Sequence, residues 1–168
     1  SCSGDESSRI LPIEIDPRDF HVNRMEFRTT MSAVLLLDMS LSMAREGRFG
    51  AAKKVALAME HLIRAQFPRD DFHVVGFATI ARELRGRELA KLSGNLGGDI
   101  FTNIQDALRL SVKLLSASRS ENKQIILITD GQPTAYTLDG KLHVEWPIFG
   151  ISPNANRETL KEVRKVTS

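Results

Sequence analysis

Hydrophobic positions along this chain follow two periods. Short apolar runs mark strands: Ala33 to Leu37 (AVLLL) leads straight into Asp38, Phe72 to Ala78 reads FHVVGFA, and Gln124 to Thr129 reads QIILIT before Asp130. The first predicts a strand over 31–38. The first and third, continuously apolar, predict strands buried on both faces. Spacing of three and four residues marks helices. Phe49, Ala52, Val55, Ala56, Met59, Leu62 and Ile63 predict one over about 48–66, ended by Pro68. Ile104, Ala107, Leu108, Ser111, Val112 and Leu115 predict a second over about 103–117, and Leu160, Val163 and Val166 carry a last one, capped by Asn154 or Asn156.

The connecting stretches are weaker. Ala81 to Arg87 reads as a short edge strand, since its charges and Gly86 suit an edge better than a sheet centre. Arg45 to Gly47 make a polar break, and residues 93–99 (SGNLGGD) form a loop with three glycines. Asp139-Gly140, between Tyr136–Leu138 and Lys141–Val144, is the two-residue signal of a small hairpin. Phe20 to Phe27 alternates loosely and predicts a short lead-in strand. Residues 1–19 are polar and read as a tail or lead-in without a core of its own, leaving 20–168 as one domain. Strands alternating with helices predict parallel pairing with right-handed crossovers. The expected fold class is α/β, three-layered, doubly wound and mostly parallel.

Composition narrows the function classes. The 168 residues, 42% apolar and 26% charged, are ordinary for one globular domain with a sizeable core. With 23 basic against 21 acidic residues the net charge is only +2, which gives no argument for nucleic acid or an anionic membrane surface. No apolar run reaches the roughly 18 residues that a membrane-spanning helix needs. The one cysteine, Cys2, excludes a disulfide within this sequence and favours a reducing, cytoplasmic location. An exposed thiol in a polar tail is its plain reading, and a lipoprotein anchor is the alternative.

In open α/β sheets ligands bind just beyond the carboxyl ends of the strands. The first strand ends in Asp38, with Ser40 and Ser42 two and four residues on; the third ends in Asp130-Gly131; and Thr102 opens a helix after the glycine-rich loop. If the first and third strands are neighbours, all five oxygen-bearing side chains meet at one edge. Singly, Ser40 and Ser42 read as a loop serine and a helix cap, Thr102 as an N-cap and Asp130 as a turn aspartate. Together, with neither His nor Cys, they form a hard oxygen set. Such a set suits Mg²⁺, which takes six oxygens at about 2.0–2.1 Å and commonly keeps waters. Mn²⁺ and Ca²⁺ are alternatives.

At these residues the sequence resembles the von Willebrand factor type A domain. The metal-ion-dependent adhesion site of that family has the pattern Asp-x-Ser-x-Ser, then a Thr, then an Asp usually followed by Gly. Here these are Asp38-Met39-Ser40-Leu41-Ser42, Thr102 and Asp130-Gly131, with Phe101 where the family often has Gly. The likeness extends over about residues 30–168, because the order of strands and helices agrees as well. It implies that Ser40, Ser42 and Thr102 are hydroxyl ligands, direct or through water. Asp38 and Asp130 then act largely through water, and an open coordination position receives an acidic side chain of a partner protein. The segments DMSLSM, AKKVALAMEHLI and LITDGQPTA are similar to bacterial intracellular members, among them the von Willebrand part of magnesium chelatase subunits. That likeness implies an AAA+ ATPase of the MoxR type as a co-worker. It also implies further strands beyond residue 168, without which the strand at 124–129 is an unpaired, sticky edge.

Enzyme readings lack their parts. A phosphohydrolase of the haloacid dehalogenase kind needs a second Asp two residues after the first as general acid, and that position is Ser40. There is no Gly-x-Ser-x-Gly elbow, no P-loop ending and no Gly-x-Gly-x-x-Gly after a strand. The expected function is a metal-dependent protein-binding module that is not an enzyme. A domain with a purely structural metal and a metal-dependent phosphohydrolase are the alternatives.

Overall fold

A computed structural model describes residues 30–92, 100–146, 150 and 152–167. The expected tail at 1–19, the lead-in strand at 20–27 and the glycine loop at 93–99 lie outside the described residues.

The apolar run of the first strand becomes β1 (Met31–Asp38), inside a four-stranded sheet of order β3-β2-β1-β4. β2 (Asp71–Phe77) and β4 (Asn122–Ile128) flank it, both parallel to it, and β3 (Ala81–Leu84) adds antiparallel to β2 at the edge. Alternate side chains of β1 go to opposite faces. Leu35 and Leu37 pack with Phe49, Ala52 and Ala56 of α2 (Arg48–Gln66) and with Leu89 of α3 (Gly86–Lys91). Val34 and Leu36 pack with Val75, Phe77 and the Ile104, Ala107 and Leu108 face of α4 (Ile104–Ala117). The result is the expected mixed α/β architecture, a mostly parallel sheet between helices. Each fully buried leucine of β1 contributes about 1.5–3 kcal/mol.

Several local expectations differ from the structure. A single turn, α1 (Leu41–Ala44), follows β1 directly, and Arg45–Gly47 form a 3-10 turn that enters α2 through Gly47 at φ 72°. On α2, Val55 and Leu62 are exposed while Glu60 is buried. The inward stripe runs through 49, 52, 56, 60 and 63, and Glu60 fits because Gly86 leaves room for its carboxylate and Arg64 pairs with it at 2.8 Å. The edge strand stops at Leu84 instead of reaching Arg87. There Glu88 accepts the Arg85 backbone N–H, and the chain turns into α3.

The third strand, expected to be buried on both faces, is half-buried to exposed along its length, with Leu127 open to solvent. β1 holds one side of β4, and among the described residues no strand pairs with its other side. The hairpin forms as expected. β5 (Ala135–Leu138) and β6 (Lys141–Val144) pair antiparallel, and Asp139 and Gly140 both take positive φ, 49° and 74°, as a tight primed turn requires.

The last helix, α5 (Pro153–Thr167), starts one residue before Asn154, and neither asparagine is its cap. The Glu145 carboxylate caps it instead, accepting the Ala155 N–H at 3.1 Å and the Asn154 side-chain amide at 2.6 Å. Its buried face is Ala155, Glu158, Thr159 and Glu162, packed toward α4 and β5, while Leu160 and Val163 point outward. The ion pair from Arg109 of α4 to Glu162, 2.9 Å, fixes that rotation of the helix.

Candidate functional site

β1, β2 and β4 run parallel, so their carboxyl ends share one edge of the sheet. Leu37 lies opposite Ile128 in the β1–β4 register, which brings Asp38 level with Thr129 as both strands end. The Met39 N–H donates to the Phe77 carbonyl at 2.7 Å and ties the loop after β1 to β2. Gly76 of β2 makes the space for that loop. A Cβ there would come 2.7 Å from Met39 Sδ and 2.6 Å from Leu84 Cδ1.

Asp38 is fully buried, and both carboxylate oxygens are engaged. Oδ1 accepts the Ser40 N–H at 2.8 Å and Oδ2 accepts the Thr129 hydroxyl at 2.5 Å. Burial pushes its carboxyl above the ordinary carboxylate range. The bonds from Thr129 and Ser40 pull it back only in part, and the charge of Asp130 adds to the upward push. The Ser40 and Ser42 hydroxyls lie 3.0 Å apart, across the N-cap and second residue of α1. Ser42 Oγ donates to Asp130 Oδ1 at 2.8 Å. The Asp130 side chain is 14% exposed, and Arg48 Nη1 holds its Oδ2 at 2.6 Å. Gly131 follows directly, and a Cβ there would stand 3.6 Å from Ser42 Oγ.

Four of the five expected residues, Asp38, Ser40, Ser42 and Asp130, therefore form one hydrogen-bonded chain across the ends of β1 and β4. Thr102 arrives from the other side. It is buried, its N–H donates to Thr134 Oγ1 at 2.9 Å, and its carbonyl accepts the Thr134 and Ala135 N–H groups at 2.9 and 3.2 Å. With Ser42 and Gly131 it lines a groove of about 510 Å³. The α4 N-cap is Asn103, not Thr102. Asn103 Oδ1 accepts the Asp106 N–H at 3.0 Å, and its amide donates to the Thr79 carbonyl at 3.1 Å. Phe101, in place of the glycine common before this Thr, packs edge-to-face on Trp146 with ring centroids 5.1 Å apart.

Three residues of the site escaped the sequence reading. Thr129 read as the last position of a strand, yet its hydroxyl bridges Asp38 and the Gly131 N–H, 3.2 Å away. Arg48 read as the start of a helix, and Thr134 only as part of the LITDGQPTA segment. The pairing of β1 with β4 brings Thr129 to Asp38, the start of α2 brings Arg48 to Asp130, and Thr134 joins through its bonds with Thr102. A hydroxyl at the end of an apolar strand, just before an Asp, was the one available signal, and it pointed to Thr129.

The donor set fits a hard divalent cation. The Asp38 and Asp130 carboxylates are linked through Ser40 and Ser42, Thr102 lines the groove beside Ser42, and Asp38 is a buried carboxylate whose two contacts are neutral donors. Among the described residues no cluster of three or more His, Cys, Asp or Glu side chains is placed to hold a metal, so hydroxyl oxygens would have to share the coordination.

The family model described as Rv0959-like protein, vWA domain, matches residues 31–168. The chain belongs to that vWA domain family. Among curated proteins it is similar to the uncharacterized protein Rv0959 of Mycobacterium tuberculosis, 34% identical over 127 residues that make up 76% of this chain and 19% of that protein. It is also similar to the human inter-alpha-trypsin inhibitor heavy chain H4, 32% identical over 139 residues, 68% of this chain and 14% of that one. The chain thus spans about a fifth or less of the length of the curated relatives it matches. Among solved structures, the minor pilin PilB of Streptococcus sanguinis superposes with TM-score 0.67 at 18% identity, over 86% of this chain and 48% of that one. The vWF domain of the pilus tip protein Mfa5 of Porphyromonas gingivalis gives 0.50 at 18% identity, over 75% and 43%. These two share the fold of this vWA domain. Domains of this family are protein-interaction modules. No helix among the described residues of this one is long and apolar enough to cross a membrane.

Proposed function

We propose that this vWA domain is a metal-dependent protein-binding module, and not an enzyme, with Mg²⁺ at the Asp38-x-Ser40-x-Ser42 site. The observation that carries the reading is the continuous chain from Asp38 through Ser40 and Ser42 to Asp130, with Thr102 lining the same groove as Ser42. Ser40, Ser42 and Thr102 would supply hydroxyl oxygens, and Asp38 and Asp130 the balancing charge. When bound, the ion offers an open coordination position to a carboxylate of the partner. Thr129 holds Asp38 in place, and Arg48 holds Asp130. The position two residues after Asp38, where a phosphohydrolase of the haloacid dehalogenase kind needs its general acid, is Ser40, which sets the reading apart from that enzyme. A cytoplasmic location rests on the single cysteine, Cys2, and on the resemblance of the DMSLSM, AKKVALAMEHLI and LITDGQPTA segments, and an AAA+ ATPase of the MoxR type as co-worker rests on that resemblance alone.

Titration calorimetry of Mg²⁺ into the chain tests the reading. Ser40→Ala and Asp38→Ala are expected to lose Mg²⁺ binding while the circular dichroism spectrum stays native. Parent-like binding by both variants overturns the assignment of the site. Mg²⁺-dependent turnover of an aryl phosphate that disappears in Asp38→Asn overturns the binding-module reading.

A further inference from the structure

The candidate metal site carries a side-chain cation. Asp38 and Asp130 are joined through Ser40 and Ser42, and two carboxylates so linked repel each other unless a positive charge stands beside them. Arg48 supplies one. Its Nη1 donates to Asp130 Oδ2 at 2.6 Å while Oδ1 accepts the Ser42 hydroxyl at 2.8 Å, so both oxygens of Asp130 are engaged. Arg48 stands where its own helix disfavours it. It is the first residue of α2, 19 residues long, with no acidic side chain in the first turn. The positive end of a helix dipole attracts anions and repels cations. The local sequence thus gives no reason for a guanidinium here, whereas Asp130, 82 residues on, does. The pair lies near the surface, with side chains 44% and 14% exposed. An ion pair in that setting is weak enough to open, and the guanidinium that leaves it enters water.

We infer that Arg48 is an internal counter-ion of the site, competing with a divalent cation for the Asp130 carboxylate and lowering the affinity for that cation. The inference rests on the metal reading above and adds what balances the charge in the metal-free protein. Without metal, the guanidinium neutralises Asp130 and stabilises the fold. With metal, Asp130 has to share its charge, and a guanidinium beside a divalent ion repels it. Arg48 therefore acts in opposite directions on the two forms. A side chain that only propped Asp130 in place for the metal would act in the same direction on both, and that difference in sign separates the two roles.

The test combines Mg²⁺ titration calorimetry with thermal melts in chelator on the full chain, for the parent, Arg48→Gln, Arg48→Lys and Lys54→Gln. Lys54 is exposed further along the same helix and controls for the loss of one positive charge. Arg48→Gln is expected to bind Mg²⁺ about tenfold tighter than the parent and to melt about 1–2 °C lower in chelator. Arg48→Lys keeps the charge and should stay within about threefold of the parent Kd. Lys54→Gln should match the parent in both measurements. Arg48→Gln binding Mg²⁺ as the parent does, or more weakly, overturns the inference and leaves the metal reading standing. A melt of Arg48→Gln in chelator at or above that of the parent overturns it too, since no stabilising pair was lost. Equal tightening by Lys54→Gln assigns the effect to net charge and overturns the competition at Asp130. Binding by Arg48→Gln alone, with none in the parent, upholds the inference. No Mg²⁺ binding in any of the four removes the metal reading and the inference with it.

Discussion

Replacing Asp38 by Asn should stabilise the metal-free protein and destroy its response to Mg²⁺. Two donors, the Ser40 N–H and the Thr129 hydroxyl, meet the carboxylate. Hydrogen bonds to a charged acceptor contribute about 1.5–3 kcal/mol each. Withdrawing a carboxylate from water costs several kcal/mol. The upward displacement of the Asp38 carboxyl, caused first by burial, means that the cost of the charge exceeds what these bonds return. The amide keeps the volume and an acceptor and removes the charge, so Asp38→Asn should gain about 1 kcal/mol in chelator, about 2–4 °C in melting temperature for a domain of this size. Asp38→Ala should instead lose about 1–3 kcal/mol, because it leaves two buried donors without an acceptor.

The pH dependence has a definite sign. The folded state binds a proton at Asp38 more readily than the unfolded state, so this group's penalty is full above the raised folded value and gone below the ordinary 3.8. The advantage of Asp38→Asn is therefore full at neutral pH and shrinks on acidification through that window. Adding Mg²⁺ at about one hundred times its Kd should stabilise the parent by about 2.7 kcal/mol and leave the variant unmoved, which reverses their order. Thermal melts in chelator and in Mg²⁺, at neutral and acid pH, read all of this. A variant that melts below the parent in chelator at neutral pH refutes the desolvation argument. Equal stabilisation of both by Mg²⁺ refutes the role of the carboxylate.

Gly76→Ala puts a methyl into Met39 and Leu84 beneath the loop after β1, and should cost about 1–3 kcal/mol in a urea melt; an unchanged midpoint would show that both side chains step aside freely. Asn103→Ala removes the α4 cap and orphans the Thr79 carbonyl, for an expected loss of about 1–2 kcal/mol by the same melt. Burial draws the Glu162 carboxyl upward, but the bonds from Lys165 and Arg109 outweigh it and hold its pKa below 4.5. The stability it contributes is thus present above 4.5 and lost as the pH falls through the lowered folded value. Glu162→Gln should cost about 1 kcal/mol at pH 7, since both cations are largely exposed, and nothing once the parent's carboxyl is protonated; a deficit that persists in acid would assign the loss to packing.

The sequence by itself determined the class of the fold and five of the residues of the candidate site. An apolar run such as AVLLL marks a strand and a three-and-four spacing such as that of α4 marks a helix, although the similar run of β4 is half-buried to exposed and Val112 of α4 is open to solvent. The Asp38, Ser40, Ser42, Thr102 and Asp130 pattern was legible because strand ends and loop hydroxyls are local features. What only the tertiary structure decided is contact between elements distant in the chain. Whether α2 buries Val55 or Glu60, and whether α5 turns Leu160 or Glu162 inward, depends on the surface opposite each helix, Gly86 in one case and Arg109 in the other. The parallel register of β1 on β4 brings the Thr129 hydroxyl to Asp38. That pairing, with the packing of α2 on the sheet, sets Arg48 on Asp130. The groove joining Ser42, Ile100 and Trp146 likewise draws on three separate stretches of chain, and no spacing along a chain encodes such a juxtaposition.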